Sequence, residues 1–307
     1  MQQPIVFGSL NLEHDGWTPD GRGGGHLDKW YAAHEELARL PLDVLFCQER
    51  THSAANGQHL MHVAERMLAM RGFLAPASPA ESPNPCAVFV REDTFRVTGQ
   101  WPQSANWWHA PCAVSVTYSE EPVRIQLASV HLSSRSAAQR KTETENIITW
   151  QQPQRALVVA GDFNSYSASG LETTPAPDWP NLPDQRHRAQ RTLDGHTPDT
   201  VPDRILTSVG MADAAVLAAR LGHAGALDPT ASMIPGKWPR QGPAQRIDRQ
   251  YVSGALAPAL RSFEVVPLPG LSDHALTLST WDPDLFLAGL HCHSSSDQRS
   301  GTGLDGA

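Results

Sequence analysis

Short apolar runs bounded by polar residues recur along this chain and set its predicted elements. Residues 5–10 read as a first strand. Leu27, Trp30, Tyr31, His34, Leu37 and Ala38 then recur at helical spacing. Residues 42–47 form a nearly continuous apolar run, the pattern of a strand buried on both faces. Leu60, Val63, Ala64, Met67 and Leu68 predict a second helix. Strands follow at 86–90, 112–118 and 123–131; in the last, Val123, Ile125 and Leu127 alternate with Arg124, Gln126 and Ala128. Residues 136–150 predict a helix and 156–160 a buried strand. Residues 166–204 are polar and Pro-rich and predict a long loop, substrate-facing or mobile. Strands return at 247–253, 263–266 and 275–280. From His291 onward the chain is rich in Ser and Gly and reads as a disordered tail.

No internal repeat or clean linker interrupts this order, so the expected organisation is one domain over 1–285 and a tail over 286–307. The 307 residues are 40% hydrophobic, enough for a substantial core. Gly 23 and Pro 25 favour many turns and long loops over a helical bundle. A net charge of -8 opposes a tight duplex-binding surface, although bound cations would offset an acidic cleft. Cys47, Cys86, Cys112 and Cys292 form no CxxC pair and read as free thiols, which argues against a disulfide framework or zinc site. Met1-Gln2-Gln3-Pro4 leads into an apolar strand without a basic leader, and no run reaches the ~20 apolar residues of a membrane span. A cytoplasmic protein is expected, with no protein partner inferred.

Several strands end alike. Residues 42–47 run into Gln48-Glu49, and residues 156–160 into Gly161-Asp162-Phe163-Asn164. The first strand runs into Asn11 and residues 123–130 into His131. Strands that each release a polar residue at the carboxyl end gather those residues on one rim. Carboxylates, amides and histidines together make a hard, oxygen-rich rim suited to Mg²⁺ or Mn²⁺. A single acid after a strand is more often a cap.

Taken in order, these stations resemble the endonuclease/exonuclease/phosphatase family. They are Leu10-Asn11-Leu12, Gln48-Glu49, His131-Leu132, Gly161–Asn164, Arg246-Ile247-Asp248 and Ser272-Asp273-His274. Gly-Asp-Phe-Asn and Ser-Asp-His are fairly specific; the Asn and His-Leu stations mean little alone. The resemblance implies a four-layer α/β/β/α sandwich of two mixed sheets with helices outside. It implies a metal-dependent phosphoric ester hydrolase, a nuclease or related phosphodiesterase, with DNA and RNA among its candidate substrates. A phosphomonoesterase acting on a small molecule or lipid headgroup is the alternative, and a silent binding module on the same scaffold a third reading. It implies Glu49 as the main metal ligand with Asn11 and Asp273 nearby. Asp162 resembles the residue that orients or deprotonates water, and Asn164 the one that holds water or phosphate. His274, oriented by Asp248, and His131 resemble phosphate contacts. The chemistry agrees, because phosphoryl transfer needs cations and donors around the equatorial oxygens.

Some positions stay open at this level. Arg249 stands where the family has an aromatic residue and points either outward or toward substrate. Glu13 either assists a metal or faces solvent. Trp107-Trp108 either stacks on substrate or packs. Arg135, Arg140 and Lys141 read as a solvated helix face more readily than as phosphate contacts. The glycine-rich run 21–25 lacks a dinucleotide fingerprint and reads as a flexible active-site loop.

Overall fold

The computed structural model describes residues 3–295, apart from 22–23, 78–81, 104–105, 153 and 238. The first half of the chain holds strands β1 (Ile5–Asn11), β2 (Thr18–Pro19), β3 (Gly25–His26), β4 (Val44–Gln48), β5 (Arg71–Leu74), β6 (Ala87–Val90) and β7 (Phe95–Gln100). Then come β8 (Cys112–Tyr118), β9 (Arg124–His131), β10 (Arg155–Asp162), β11 (Met211–Asp213), β12 (Asp248–Ser253), β13 (Leu260–Val266) and β14 (Leu276–Trp281). The helices are α1 (Asp28–Ala38), α2 (Ala55–Leu68), α3 (Ala137–Ile148), α4 (Gln185–Arg191), α5 (Val201–Ser208), α6 (Ala214–Arg220) and α7 (Pro283–Ser295).

Two six-stranded mixed sheets carry the fold, in the orders β13-β14-β1-β4-β6-β5 and β11-β12-β10-β9-β8-β7. Each has one parallel pair at its centre, β1 with β4 and β9 with β10. Period-two burial explains how they stack. Val44 and Phe46 of β4 enter the core between the sheets, while Leu45 and Cys47 face α1 and α2. Phe7, Phe46 and Val88 meet Val114, Ile125 and Val158 across the inter-sheet space. Trp30, Leu37, Leu60 and Met61 cover the outer face of the first sheet. Ile147 of α3 and Leu206 of α5 cover the second. The expected four-layer α/β/β/α sandwich is therefore the fold.

The structure adds β5, β7, β11, α6 and α7, which the apolar pattern did not mark. It also corrects the domain boundary at 285. Residues 283–295 are helical, and Phe286 and Leu290, one turn apart, are fully buried. Phe286 closes one end of the sandwich against Phe7, Phe95, Tyr118 and Trp281. Two apolar contacts in a short, polar-flanked segment suffice because the hole they fill is already built. The remaining predicted tail, 296–307, lies outside the described residues. Nor is 166–204 one long loop, since α4 and the start of α5 lie within it. Among the described residues no helix is long and apolar enough to cross a membrane.

Phe286→Ala should cost about 3–5 kcal/mol, as for other large-to-small core truncations. Urea unfolding of the full chain measures it. A loss below ~1 kcal/mol would show that α7 does not seal the sandwich.

Candidate active site

Register brings the polar strand ends together. Asp162 ends β10 opposite His131 of parallel β9 and opposite Asp248, the first residue of antiparallel β12. In the other sheet Asn11 ends β1 beside Gln48 of β4. There β14 runs antiparallel to β1, so Asp273 and His274, just before β14, arrive at the same edge. Ser272 fixes that arrival, donating its hydroxyl to the Asn11 carbonyl at 2.7 Å and accepting from the His274 N–H at 3.0 Å.

Gly161 makes the crowding at this edge possible. Its φ is +147°, and a Cβ there would lie 1.9 Å from the Val130 carbonyl oxygen. Only glycine fits the position. The next residue, Asp162, is buried and becomes the meeting point of the site. Its Oδ2 lies 3.4 Å from Asn11 Nδ2, 3.4 Å from His131 Nε2 and 4.0 Å from His274 Nε2. Its Oδ1 accepts from the Asn164 N–H at 2.9 Å.

The two histidines sit in different fields. His274 Nδ1 is 2.9 Å from Asp248 Oδ2. Burial alone would lower the His274 pKa, but Asp248, with Asp162 and Asp273 behind it, holds it above the ordinary histidine value. Asp248 is itself raised by burial, against the pull of His274. Among the described residues His131 has no such carboxylate on its Nδ1. Burial, reinforced by the charges of His274 and Arg191, lowers its pKa to about 3. His109 stacks on it with ring centroids 3.9 Å apart, and the Ser82 hydroxyl lies 2.7 Å from His109 Nδ1.

Glu49 follows β4 in left-handed backbone, with φ 56°. Its Oε2 accepts from the His14 N–H at 2.9 Å, and Asn11 Nδ2 lies 3.3 Å from its Oε1. Asn11 thus turns its amide nitrogen to two carboxylates, while its Oδ1 accepts from the Glu13 N–H at 3.0 Å. Asp273 lies 2.8 Å from the Lys237 ammonium, which also pairs with Glu13. Glu13 is therefore part of the acidic edge.

All eight predicted site residues lie at this edge. His131, Asp162, Asn164, His274, Glu49 and Asp273 line one open cleft of about 500 Å³, with Asn11 and Asp248 beneath it. Other sequence readings change. Arg249 is buried, donating to the Ser165 carbonyl at 2.5 Å and the Tyr251 hydroxyl at 3.2 Å. Arg140 is fully buried on Asp199 and is neither a solvated residue nor a substrate contact. Trp107 packs in the core on Trp150, whereas Trp108 lines the cleft beneath the Arg135 guanidinium. Lys237, Arg191 and His109 escaped the sequence reading. His109 adjoins the Trp pair, but neither Arg191 nor Lys237 sits in a motif whose spacing marks it.

Two acid groupings offer themselves to a cation. Ligand atoms of Asp162, Asp248 and His274 lie within 4.8 Å of one another and could hold a metal ion. In that group Asp248 is already committed to the histidine ring. Glu49, Asp273 and Glu13 line a second, all-oxygen grouping, and Glu13 and Asp273 pair there with the Lys237 ammonium.

The model of the Endonuclease/Exonuclease/phosphatase family matches residues 8–274. No curated protein matches the chain by sequence. Among solved structures it resembles the human Nocturnin catalytic domain with bound sulfate anion, at 18% identity and TM-score 0.58, covering 91% of this chain and 93% of that one. D. rerio TDP2 complexed with single strand DNA product matches at 13% identity and TM-score 0.59, over 92% and 100%. An AP endonuclease from Archaeoglobus fulgidus matches at 11% identity and TM-score 0.61, over 91% and 99%. At these identities the likeness carries the fold alone.

In chelator-treated protein the ring of His131 should stay neutral at pH 6, while His274 should be protonated at pH 7. Asp248→Asn should lower the His274 pKa, because the raising charge is removed. Imidazole NMR titration reads both, and two rings titrating together near the ordinary histidine value would contradict the geometry.

Proposed function

The chain belongs to the endonuclease/exonuclease/phosphatase family, whose members are hydrolases of phosphoester bonds, and on that premise we propose that it is a Mg²⁺- or Mn²⁺-dependent phosphodiesterase. The observation that carries this reading is the buried carboxylate of Asp162 facing His131 and His274 in one cleft.

Asp162 positions the attacking water and takes its proton. Asn164 holds that water or the phosphoryl oxygen through its amide. His274, with its Nδ1 fixed by Asp248, donates from Nε2 to the phosphoryl group. His131 donates to a second oxygen, so charge that grows in the transition state meets hydrogen bonds already in place. Glu49 and Asp273, with Asn11 beside them, would hold the cation. When bound, it supplies Lewis-acid polarisation of a phosphoryl oxygen.

A diester substrate such as DNA or RNA draws support from the nucleic-acid chemistry named for TDP2 and the AP endonuclease. The net charge of -8 limits a long backbone track, so contacts should be local, ~2–4 phosphates with a shallow salt dependence. A monoesterase is the second reading, favoured by the modest cleft of about 500 Å³ walled by Trp108 and Arg135.

A panel of single-stranded DNA, duplex DNA, RNA, sugar phosphates and inositol phosphates separates the two. Phosphate release from a monoester with no cleavage of any polynucleotide would establish the second. Excess chelator should abolish turnover, and Glu49→Gln should weaken metal dependence more than folding; full activity in chelator would overturn the metal assignment.

Asp162→Asn and His274→Ala should each lower kcat far more than they raise KM, since the interactions removed belong to the transition state. Asp248→Ala should be milder than His274→Ala, and the double variant less than additive. Additive losses would make Asp248 purely structural.

A further inference from the structure

Among the described residues three buried arginines pair with carboxylates. Arg50 pairs with Asp15 at 3.2 Å, Arg140 with Asp199 at 2.8 Å and Arg246 with Asp213 at 2.9 Å. Arg249 donates to the Tyr251 hydroxyl, which donates in turn to Asp203 at 2.5 Å. A buried charge without such a partner is costly.

Arg191 is only half-buried and, like Arg91 and Arg155 elsewhere, is held by neutral oxygens; unlike them it lines the cleft. It is the last residue of α4, and its partly buried side chain lines the cleft with His131, Asp162 and His274. Among the described residues its guanidinium donates to neutral acceptors alone. These are the Ser134 carbonyl at 3.2 Å, the Asn164 carbonyl at 3.3 Å and the Asn164 side-chain oxygen. Among the described residues no carboxylate lies within 4.0 Å of it. Burial pulls its pKa below the ordinary arginine value.

Those bonds do two things. They fix the Asn164 amide, whose nitrogen donates to the Leu132 carbonyl at 2.8 Å and whose backbone is left-handed at φ 49°. Among the described residues they also leave the Nε–H and one Nη2–H of Arg191 without an acceptor. A cation tethered by neutral groups, with donors to spare, is built to receive an anion.

We propose that Arg191 and Asn164 form a clamp for one tetrahedral oxyanion, the phosphoryl group of the substrate. Arg191 supplies charge and two N–H donors, and by holding Asn164 it sets where the amide meets the same group. The chemical role of that anion rests on the phosphoesterase reading, whereas its binding does not.

Calorimetric titration of the full chain with inorganic phosphate, in Mg²⁺ buffer, tests the clamp. Arg191→Gln should weaken phosphate binding roughly tenfold to a hundredfold, the scale of charge-assisted hydrogen bonds. Arg191→Lys, which keeps the charge but not the fork, should fall between the two. Guanidinium added to Arg191→Ala should restore part of the affinity. Arg186→Gln, an exposed change on the same helix, removes the same net charge and should shift affinity less than ~2-fold. Thermal unfolding checks that each variant folds; if Arg191→Gln does not, Arg191→Lys decides.

Three results would overturn the clamp: equal affinity in wild type and Arg191→Gln, an equal loss in Arg186→Gln, or no phosphate binding by the wild type. Arg191-dependent phosphate binding with no ester cleaved would overturn the phosphoesterase reading and leave the clamp standing.

Discussion

A polar seam between the two sheets holds the rest of the structure in place. Gln48 Nε2 donates to Ser129 Oγ at 2.9 Å, and Ser129 donates to the Cys47 carbonyl at 2.9 Å. Further along, Gln250 Nε2 donates to the Thr277 carbonyl at 3.0 Å, and Ser279 donates to Gln250 Oε1 at 2.6 Å. All these side chains are buried. An apolar interface tolerates a small slide of one sheet on the other, but a buried donor that loses its acceptor bears its full desolvation cost. The seam therefore fixes the relative position of the sheets. That position puts the end of β1 within 3.4 Å of Asp162 on the other sheet.

With that geometry set, environment divides labour among similar residues. His131 and His274 are both deep in one cleft, yet one is held neutral and the other charged. The difference is Asp248, delivered to His274 Nδ1 by the first residue of β12. Asp162 needs no motif-specific chemistry beyond its place between them. The Lys237 ammonium at Glu13 and Asp273 shows that the adjoining acidic residues draw positive charge. The cleft thus presents cation-seeking oxygens at one edge and hydrogen-bond donors beside it, the combination a phosphoryl group requires.

The Pro-rich segment after β10 is tied into this site. Arg140 of α3 reaches it with two bonds, to Asp199 Oδ2 and the Gln190 carbonyl, and holds the Ser133 carbonyl after β9 with a third, each at 2.8 Å. Gln190 immediately precedes Arg191. The buried pair of Arg140 and Asp199 thereby anchors the end of α4 against the chain leaving β9, and Arg191 meets Asn164 because of that anchor. A residue outside every motif can in this way control one that lies inside a motif.

The amino-acid sequence alone determined the alternation of strand and helix, the burial of β4 on both faces and the residues released at the strand ends. Those features are local: side-chain periodicity and the residue following an apolar run are written in neighbouring positions. The order of six short stations was also legible, because each occupies consecutive residues. The closure of the sandwich by Phe286 and Leu290 was not, since two apolar contacts only acquire meaning once Phe7, Phe95 and Trp281 surround them. On sequence alone Arg249 points either outward or toward substrate, but Ser165 and Tyr251 bury it. Arg191 carried no signal, because its partners Ser134 and Asn164 are 57 and 27 residues away. Tertiary structure decided these, for the physical reason that the energy of a charge or an aromatic ring is set by what surrounds it, and that surrounding is assembled from distant parts of the chain.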